Sequence, residues 1–289
     1  MSNAAKLRTL LASRKMIVAP GAIDCITGRA IAQAGFSAVY MTGAGTSATL
    51  GYPDYGLITM TEMVGNAGRI QNSIDIPLIS DSDTGFGNEL NVFRTVQEFE
   101  RAGIAAIHIE DQVFPKKCGH LENKELVSRE DFIAKIRAAA AARKSKDFCI
   151  IARTDSRAMA GLDEAIGRAN AALANGADVA FVEAPQTMAE IEAVPKRVKG
   201  PCLLNVVRGG KTPEIELEAA ERMGYAIAIV PGLLLGGIIQ TCDRLLGDLR
   251  QGKFPPVTGS PAKTFARFGA AEWDERRTAF RDPLKAAAE

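Results

Sequence analysis

The chain has 289 residues, 47% of them hydrophobic and 24% charged, a composition that fits a globular protein with a full core and excludes a disordered or fibrous one. Lys and Arg number 35 against 34 Asp and Glu, a formal net charge of +1 with no long basic run, which argues against nucleic acid or an acidic membrane and leaves a small molecule as partner. No window holds the roughly 18 apolar residues that span a bilayer, and "MSNAAKLRTLLASRK" lacks a signal peptide's apolar core, so a cytoplasmic protein is expected.

In chain order, short apolar runs predict eight strands near residues 16–20, 38–42, 76–80, 105–110, 148–153, 178–183, 202–206 and 225–230. Amphipathic helical patterns lie between them. In "NELNVFRTVQEFERAG" the residues Leu90, Phe93, Val96 and Phe99 are expected near one face. Helices are expected to end at Gly35, Gly103, Gly176 and Gly224, each followed at once by a strand, because glycine accepts the left-handed backbone that ends a helix. Eight such units in about 230 residues predict a (β/α)8 TIM barrel, with an open doubly wound sheet as the structural rival. A single domain is expected: a barrel over 1–250 and a C-terminal helical extension over 251–289, packed on the barrel or on a neighbouring subunit.

Catalysis in such barrels sits where the strands end. Here the stops read "VYMTGAG", "LISDSDTGFGN", "IHIED", "IIARTD", "FVEAP" and "LLNVVRGG", so Asp81, Asp83, Glu110, Arg153, Glu183 and Asn205 should converge on one mouth. Each alone has an ordinary structural role open to it; Asp83 or Asn88 would serve to cap the next helix. Two carboxylates ~4 Å apart repel by about 4 kcal/mol at an effective dielectric near 20, so clustered Asp81, Asp83 and Glu110 call for a cation or for protonation. With only two histidines in the chain, Mg²⁺ or Mn²⁺ held partly through water suits this oxygen set better than zinc. Thr42 with the N–H groups of Gly43 and Ala44 forms either a concavity for a carboxylate or simply a tight turn. "GGKT" at 209–212 is not a phosphate loop, since its required first glycine would fall at Asn205.

The five cysteines, at 25, 118, 149, 202 and 242, show neither disulfide nor zinc spacing. Cys118 differs from the rest. It lies in "VFPKKCGHLENK", within a stretch from Asp111 to Ser128 that has no helical or strand periodicity, before "SRED" opens a helix. Loops this long are commonly lids. A lid carrying Cys118 to the rim would deliver a titratable thiol, and Gly119 frees the backbone to do so.

"DSDTGFGN", "IHIEDQ", "KKCGH" and "ARTD", in this order and spacing, resemble the isocitrate lyase and phosphoenolpyruvate mutase superfamily, in particular its lyase branch, over nearly the whole chain. The resemblance implies a barrel with a C-terminal helix swapped between subunits, a homotetramer built as a dimer of dimers, and Mg²⁺ at the mouth. It implies cleavage of a 2-hydroxy di- or tricarboxylate into an α-keto acid and a carboxylate. By motif, Asp81 would bind the metal directly, while Asp54, Asp83 and Glu110 would hold its waters. Thr42, Gly43, Ala44 and Arg153 would hold the keto-acid carboxylate. Cys118 would be the acid, with Lys117, Gly119, His120, Glu183 and Asn205 around the second product. Tyr40, beside the TGAG turn, is a candidate base, although a strand tyrosine equally suits the core. A thiol among lysines tends to ionise, whereas an acid must hold its proton.

Departures from the pattern bear on the substrate. Methylisocitrate lyases usually carry Arg where this chain has Leu121, and polar residues after Asn205 where it has Val206 and Val207. A dicarboxylate of the 2-alkylmalate type, such as 2,3-dimethylmalate, is therefore expected, cleaved to pyruvate and a short acid. Methylisocitrate follows, with Arg208 or Lys211 supplying charge, then oxaloacetate. A phosphoenolpyruvate phosphonomutase and a non-catalytic ligand-binding barrel are the readings from other classes.

Overall fold

The computed structural model describes residues 1–121, 123–257 and 259–281. Eight parallel strands, β1 (Ile17–Ala22), β2 (Val39–Met41), β3 (Leu78–Asp81), β4 (Ala106–Glu110), β5 (Cys149–Thr154), β6 (Val179–Val182), β7 (Cys202–Asn205) and β8 (Ile227–Val230), pair in sequence order and close into a barrel. The eight expected runs are these strands, with ends displaced by no more than two residues. Closure through the register Ile17↔Ile227 to Pro20↔Val230 excludes an open sheet.

Helix α1 (Asn3–Ala12) precedes the barrel; α2 (Cys25–Gln33) follows β1, α3 (Gly43–Thr49) and α4 (Met60–Asn72) both follow β2, and α5 (Glu89–Arg101), α6 (Arg129–Ala142), α7 (Arg157–Ala174), α8 (Met188–Arg197) and α9 (Leu217–Met223) follow β3 to β7 in turn. Leu7 of α1 joins the interior cluster of Ile17, Ile79, Ile151, Phe181 and Ile227, and Arg8 bonds the Asp147 carbonyl and pairs with Asp178 just before β5 and β6. Thus α1 closes the barrel's N-terminal end. Outside the strands, Ile70, Phe99, Phe132, Ile136 and Ile150 belong to a second cluster that joins helices to the sheet.

Local chemistry explains the element ends. Gly35, Gly103, Gly176 and Gly224 all take positive φ, between 80° and 110°, as helix terminators. Asn88 caps α5 by accepting from the Leu90 and Asn91 N–H groups, and Ser128 caps α6 by accepting from Asp131. One expectation is corrected. The buried face of α5 is Val92, Thr95, Val96 and Phe99, whereas Leu90 is 74% and Phe93 38% exposed. At 100° per residue, Val92, Val96 and Phe99 share a face and Leu90 lies on the opposite side.

The chain divides into two compact units, residues 1–237 and 238–289. Helix α10 (Leu233–Arg250) begins in the first, and α11 (Pro261–Ala266) and α12 (Ala270–Arg281) belong to the second. None of these three helices contains a fully buried residue, and Phe254, Phe265, Trp273 and Phe280 are exposed. Among the described residues no helix is long and apolar enough to cross a membrane.

The terminator glycines are not equivalent. A Cβ at Gly103 meets nothing within 4 Å, whereas one at Gly176 falls 2.5 Å from the Ala140 Cβ. Gly103→Ala should cost about 1–2 kcal/mol of left-handed strain, and Gly176→Ala about 1–3 kcal/mol more from overpacking. Urea unfolding of the two variants checks the order; equal midpoints would contradict it.

Candidate active site

Parallel register lines the strand ends up. Asp81 pairs with His108, Glu110 with Arg153 and Arg153 with Phe181. Tyr40, Asp81, His108, Glu110, Arg153, Glu183 and Asn205 are each no more than 8% exposed there. Together with Thr42, Ala44 and the lid residues Cys118, Gly119 and His120, most of them line a cavity of about 150 Å³, a volume for a small acid and not for a nucleotide. Asp54 also lines it, and Val207, Pro231 and Leu235 give it an apolar part.

The acids crowd as expected. Asp81 accepts from the Gly43 N–H (3.2 Å) and the Asp83 N–H (2.9 Å). Burial opposes its charge, but His108, Lys116, Arg153 and the Asp83 N–H hold it down at about 2. Asp83 is pushed by burial up to about 6, and burial raises Glu110 well above the carboxylate range. Neither acid settles easily as an anion. Glu110 Oε1 has no hydrogen-bond partner among the described residues. Asp83 takes φ +48° and Ala184, next to Glu183, +53°, so backbone strain gathers where the acids are presented.

Six carboxylates (Asp54, Asp81, Asp83, Glu110, Asp155, Glu183) thus meet three buried cations, Lys116, Lys124 and Arg153. The excess of negative charge suits a hard divalent cation. Among the described residues no three His, Cys, Asp or Glu side chains stand close enough to ligate one ion together. Asp54, Asp81, Asp83 and Glu110 therefore fit a cation that keeps most of its water.

Arg153 is aligned by three acids: Asp155 at its Nε (2.9 Å), Glu110 at Nη1 (3.1 Å) and Glu183 (3.6 Å). Its guanidinium stacks 5.2 Å over Phe181. Asn205 Nδ2 donates to Glu183, and His120 Nε2 lies 2.9 Å from the same carboxylate. The Lys211 N–H donates to His120 Nδ1 (3.0 Å), which leaves the proton of a neutral imidazole on Nε2, facing Glu183.

The lid has structure of its own. An antiparallel bridge joins Gln112 to Leu126, and the Val113 N–H donates to the Glu125 carbonyl, so it rises on a short hairpin stem that no alternation in the sequence announces. Gln112 clamps the Lys117 backbone through both its N–H and carbonyl. The Cys118 N–H bonds the Asp54 carbonyl (3.2 Å), which seats the thiol over the cavity. Burial pushes that thiol above its ordinary value, against the His120 N–H that stabilises the thiolate. The expected conflict with neighbouring lysines does not arise, because both turn away from the sulfur. Lys116 is buried between Asp54 and Asp83 (3.0 Å to the latter), and Lys117 Nζ reaches the Asn123 carbonyl on the exposed side.

Two placements correct the expected set. Lys117 does not line the cavity; Lys116, one residue earlier, is the lysine among the acids. Gly43 does not line it either, since its N–H is held by Asp81 and a Cβ there would strike Asp81 Oδ2 at 2.4 Å. The TGAG segment is the start of α3, with Thr42 as N-cap. Three residues escaped notice in the sequence: His108, Lys124 and Asp155. His108 is fully buried, its Nε2 2.8 Å from the Tyr40 hydroxyl and 3.4 Å from Asp81, and burial lowers it to about 4, so it is neutral at pH 7. Its alternation with Glu110 along "IHIE" was the available signal.

Comparison with known proteins agrees with this geometry. The profile of the phosphoenolpyruvate phosphomutase family matches residues 7–249. A 2,3-dimethylmalate lyase of Eubacterium barkeri is 50% identical over 232 residues, 80% of each chain. A 2-methylisocitrate lyase of Aeropyrum pernix is 42% identical, over 85% of this chain and 79% of its own. Among solved structures, an oxaloacetate acetylhydrolase with 3,3-difluorooxalacetate superposes with a TM-score of 0.93 at 38% identity, covering 96% of this chain and 97% of the other. A phosphonopyruvate hydrolase with oxalate and Mg²⁺ gives 0.86 at 30% identity, covering 99% and 100%. A closed (β/α)8 barrel and matches over most of the sequence lead to one conclusion: the chain belongs to the phosphoenolpyruvate phosphomutase family, within the phosphoenolpyruvate mutase and isocitrate lyase superfamily.

Proposed function

We propose that the protein is a Mg²⁺-dependent carbon–carbon lyase that cleaves a 2-hydroxy dicarboxylate of the 2-alkylmalate type, such as 2,3-dimethylmalate, to pyruvate and a short carboxylic acid. The observation that carries it is a thiol kept protonated by burial and seated by the lid over a cavity opposite Asp81 and Arg153. Lyase relatives at 50% and 42% identity support the reaction class.

Asp81 would hold the metal directly, with Asp54, Asp83 and Glu110 on its waters; when bound, the ion polarises the oxygens of the 2-hydroxy acid. The Arg153 guanidinium binds the keto-acid carboxylate, with Thr42 and Ala44 beside it. Tyr40 takes the hydroxyl proton. Burial raises its own pKa well above the phenol range, so it acts by passing its proton to neutral His108 Nε2 at 2.8 Å as it accepts the substrate's. The imidazolium formed lies 3.4 Å from Asp81. As the C–C bond breaks, its electrons move onto the departing carboxylate as an enolate, and the Cys118 S–H protonates the carbon. Glu183 holds the His120 and Asn205 side chains in place beside that second carboxylate.

The cavity favours two carboxylates over three. Among its lining residues the permanent cation is Arg153, while Arg208 is largely exposed and 3.4 Å from Glu214. A third carboxylate would face Val207, Pro231 and Leu235, and a buried unpaired charge costs several kcal/mol. The exposed Ile239, Leu246 and Leu249 of α10, with exposed Phe265, Trp273 and Phe280 on α11 and α12, support the homotetramer with exchanged helices. Five free cysteines support a cytoplasmic setting.

Incubation with Mg²⁺ and 2,3-dimethylmalate, 2-methylisocitrate, isocitrate or oxaloacetate should release keto acid fastest from the first, and chelator should abolish it; chelator-resistant turnover contradicts the metal. Cys118→Ala should lower kcat by about 10²–10⁴-fold while pyruvate and Mg²⁺ still bind by calorimetry; a phosphonomutase would keep its rate. The raised thiol sets the sign of the pH dependence. The working form is protonated, so kcat should hold beyond about pH 8.5 and fall only above it, whereas loss of kcat in step with thiol ionisation near neutrality would reject Cys118 as the acid.

A further inference from the structure

Neither Lys124 nor Asp155 lines the cavity, yet both are buried and both bear on the residues that do. Lys124 Nζ donates to the Gly119 carbonyl (2.6 Å) and to Asp155 Oδ1 (2.7 Å). Gly119 is the residue after Cys118. The other oxygen of Asp155 accepts from Arg153 Nε (2.9 Å), and its backbone N–H is tied to Asp111 Oδ1 (2.8 Å), itself bonded to Thr154 and Arg168. The backbone of Gly119 lies so close to Arg153 that a Cβ there would stand 2.4 Å from Nη2. A buried ammonium costs several kcal/mol to desolvate unless its partners are specified. Here those partners are one lid carbonyl and one carboxylate of the barrel rim.

We propose that Lys124 and Asp155 form a clasp that holds the lid shut, so that seating the Cys118 thiol and orienting Arg153 are a single event controlled by one carboxylate. Lys124 is then a positioning residue. It acts through the Gly119 carbonyl on the thiol, and through Asp155 on the arginine that binds the keto-acid end. The role assigned to Cys118 rests on the lyase reading, but the lid can be followed without substrate.

The test compares wild type, Lys124→Met and Lys124→Arg as full chains. Iodoacetamide labelling of Cys118, read by mass spectrometry of its own peptide because Cys25 and Cys242 also carry free thiols, should run at least about tenfold faster in Lys124→Met as the lid opens. With 2,3-dimethylmalate, kcat should fall on the order of 10²-fold, more than KM rises, and Lys124→Arg should recover part of both. Labelling and kcat within twofold of wild type in Lys124→Met overturn the clasp, as does a Lys124→Arg variant no closer to wild type than Lys124→Met. If Lys124→Met loses its cooperative thermal transition, hydrogen exchange on wild type decides. Protection of amides 116–121 relative to a free peptide of that sequence supports a held lid, and exchange at the peptide's rate overturns it. A wild type that releases no keto acid while its lid behaves as stated defeats the lyase reading and leaves the clasp standing.

Discussion

Charge balance inside the barrel mouth is the constraint from which the rest of the site follows. Parallel strands deliver carboxylates to one rim because every strand ends on the same side. Their mutual repulsion in a poorly solvated space has to be offset. Arg153 answers part of it from β5. Lys116 and Lys124 answer more of it from the lid, one against Asp54 and Asp83, the other against Asp155. The lid is drawn to the mouth by the same acids that suit it to a divalent ion.

This arrangement resolves how a thiol flanked by lysines keeps its proton. The two ammonium groups near Cys118 are each taken up by other partners, Lys116 by the acids and Lys117 by the Asn123 carbonyl on the exposed side. Around the sulfur, burial then outweighs the His120 N–H and Arg153 and favours the neutral form. The same lid that supplies cations to the rim thereby keeps its own lysines away from the thiol.

The cavity lining is of two kinds: polar groups such as Asp81, Arg153 and Tyr40, the last backed by His108, and the apolar Val207, Pro231 and Leu235. A polar reacting centre with an alkyl-bearing remainder fits this division better than a molecule charged at three ends. The loop after β7 contributes twice, through Val207 in the wall and through the Lys211 N–H that sets the His120 tautomer.

The sequence by itself determined the barrel, its eight strands and the acids of its rim. Those are local signals: a glycine that must end a helix, an apolar run that must be buried, and a polar residue where the run stops. Cys118 was legible for the same reason, as a thiol with nothing nearby in the chain to bury it. Tertiary structure alone decided which lysine meets the acids, that His108 stands behind Tyr40, and that Lys124 and Asp155, 31 residues apart, share a proton-donor bond. The direction of a side chain at a strand end or in a lid depends on what lies across the barrel, and no spacing along the chain encodes that. Periodicity specifies which elements form, whereas charge neutralisation between distant elements specifies how the site is assembled.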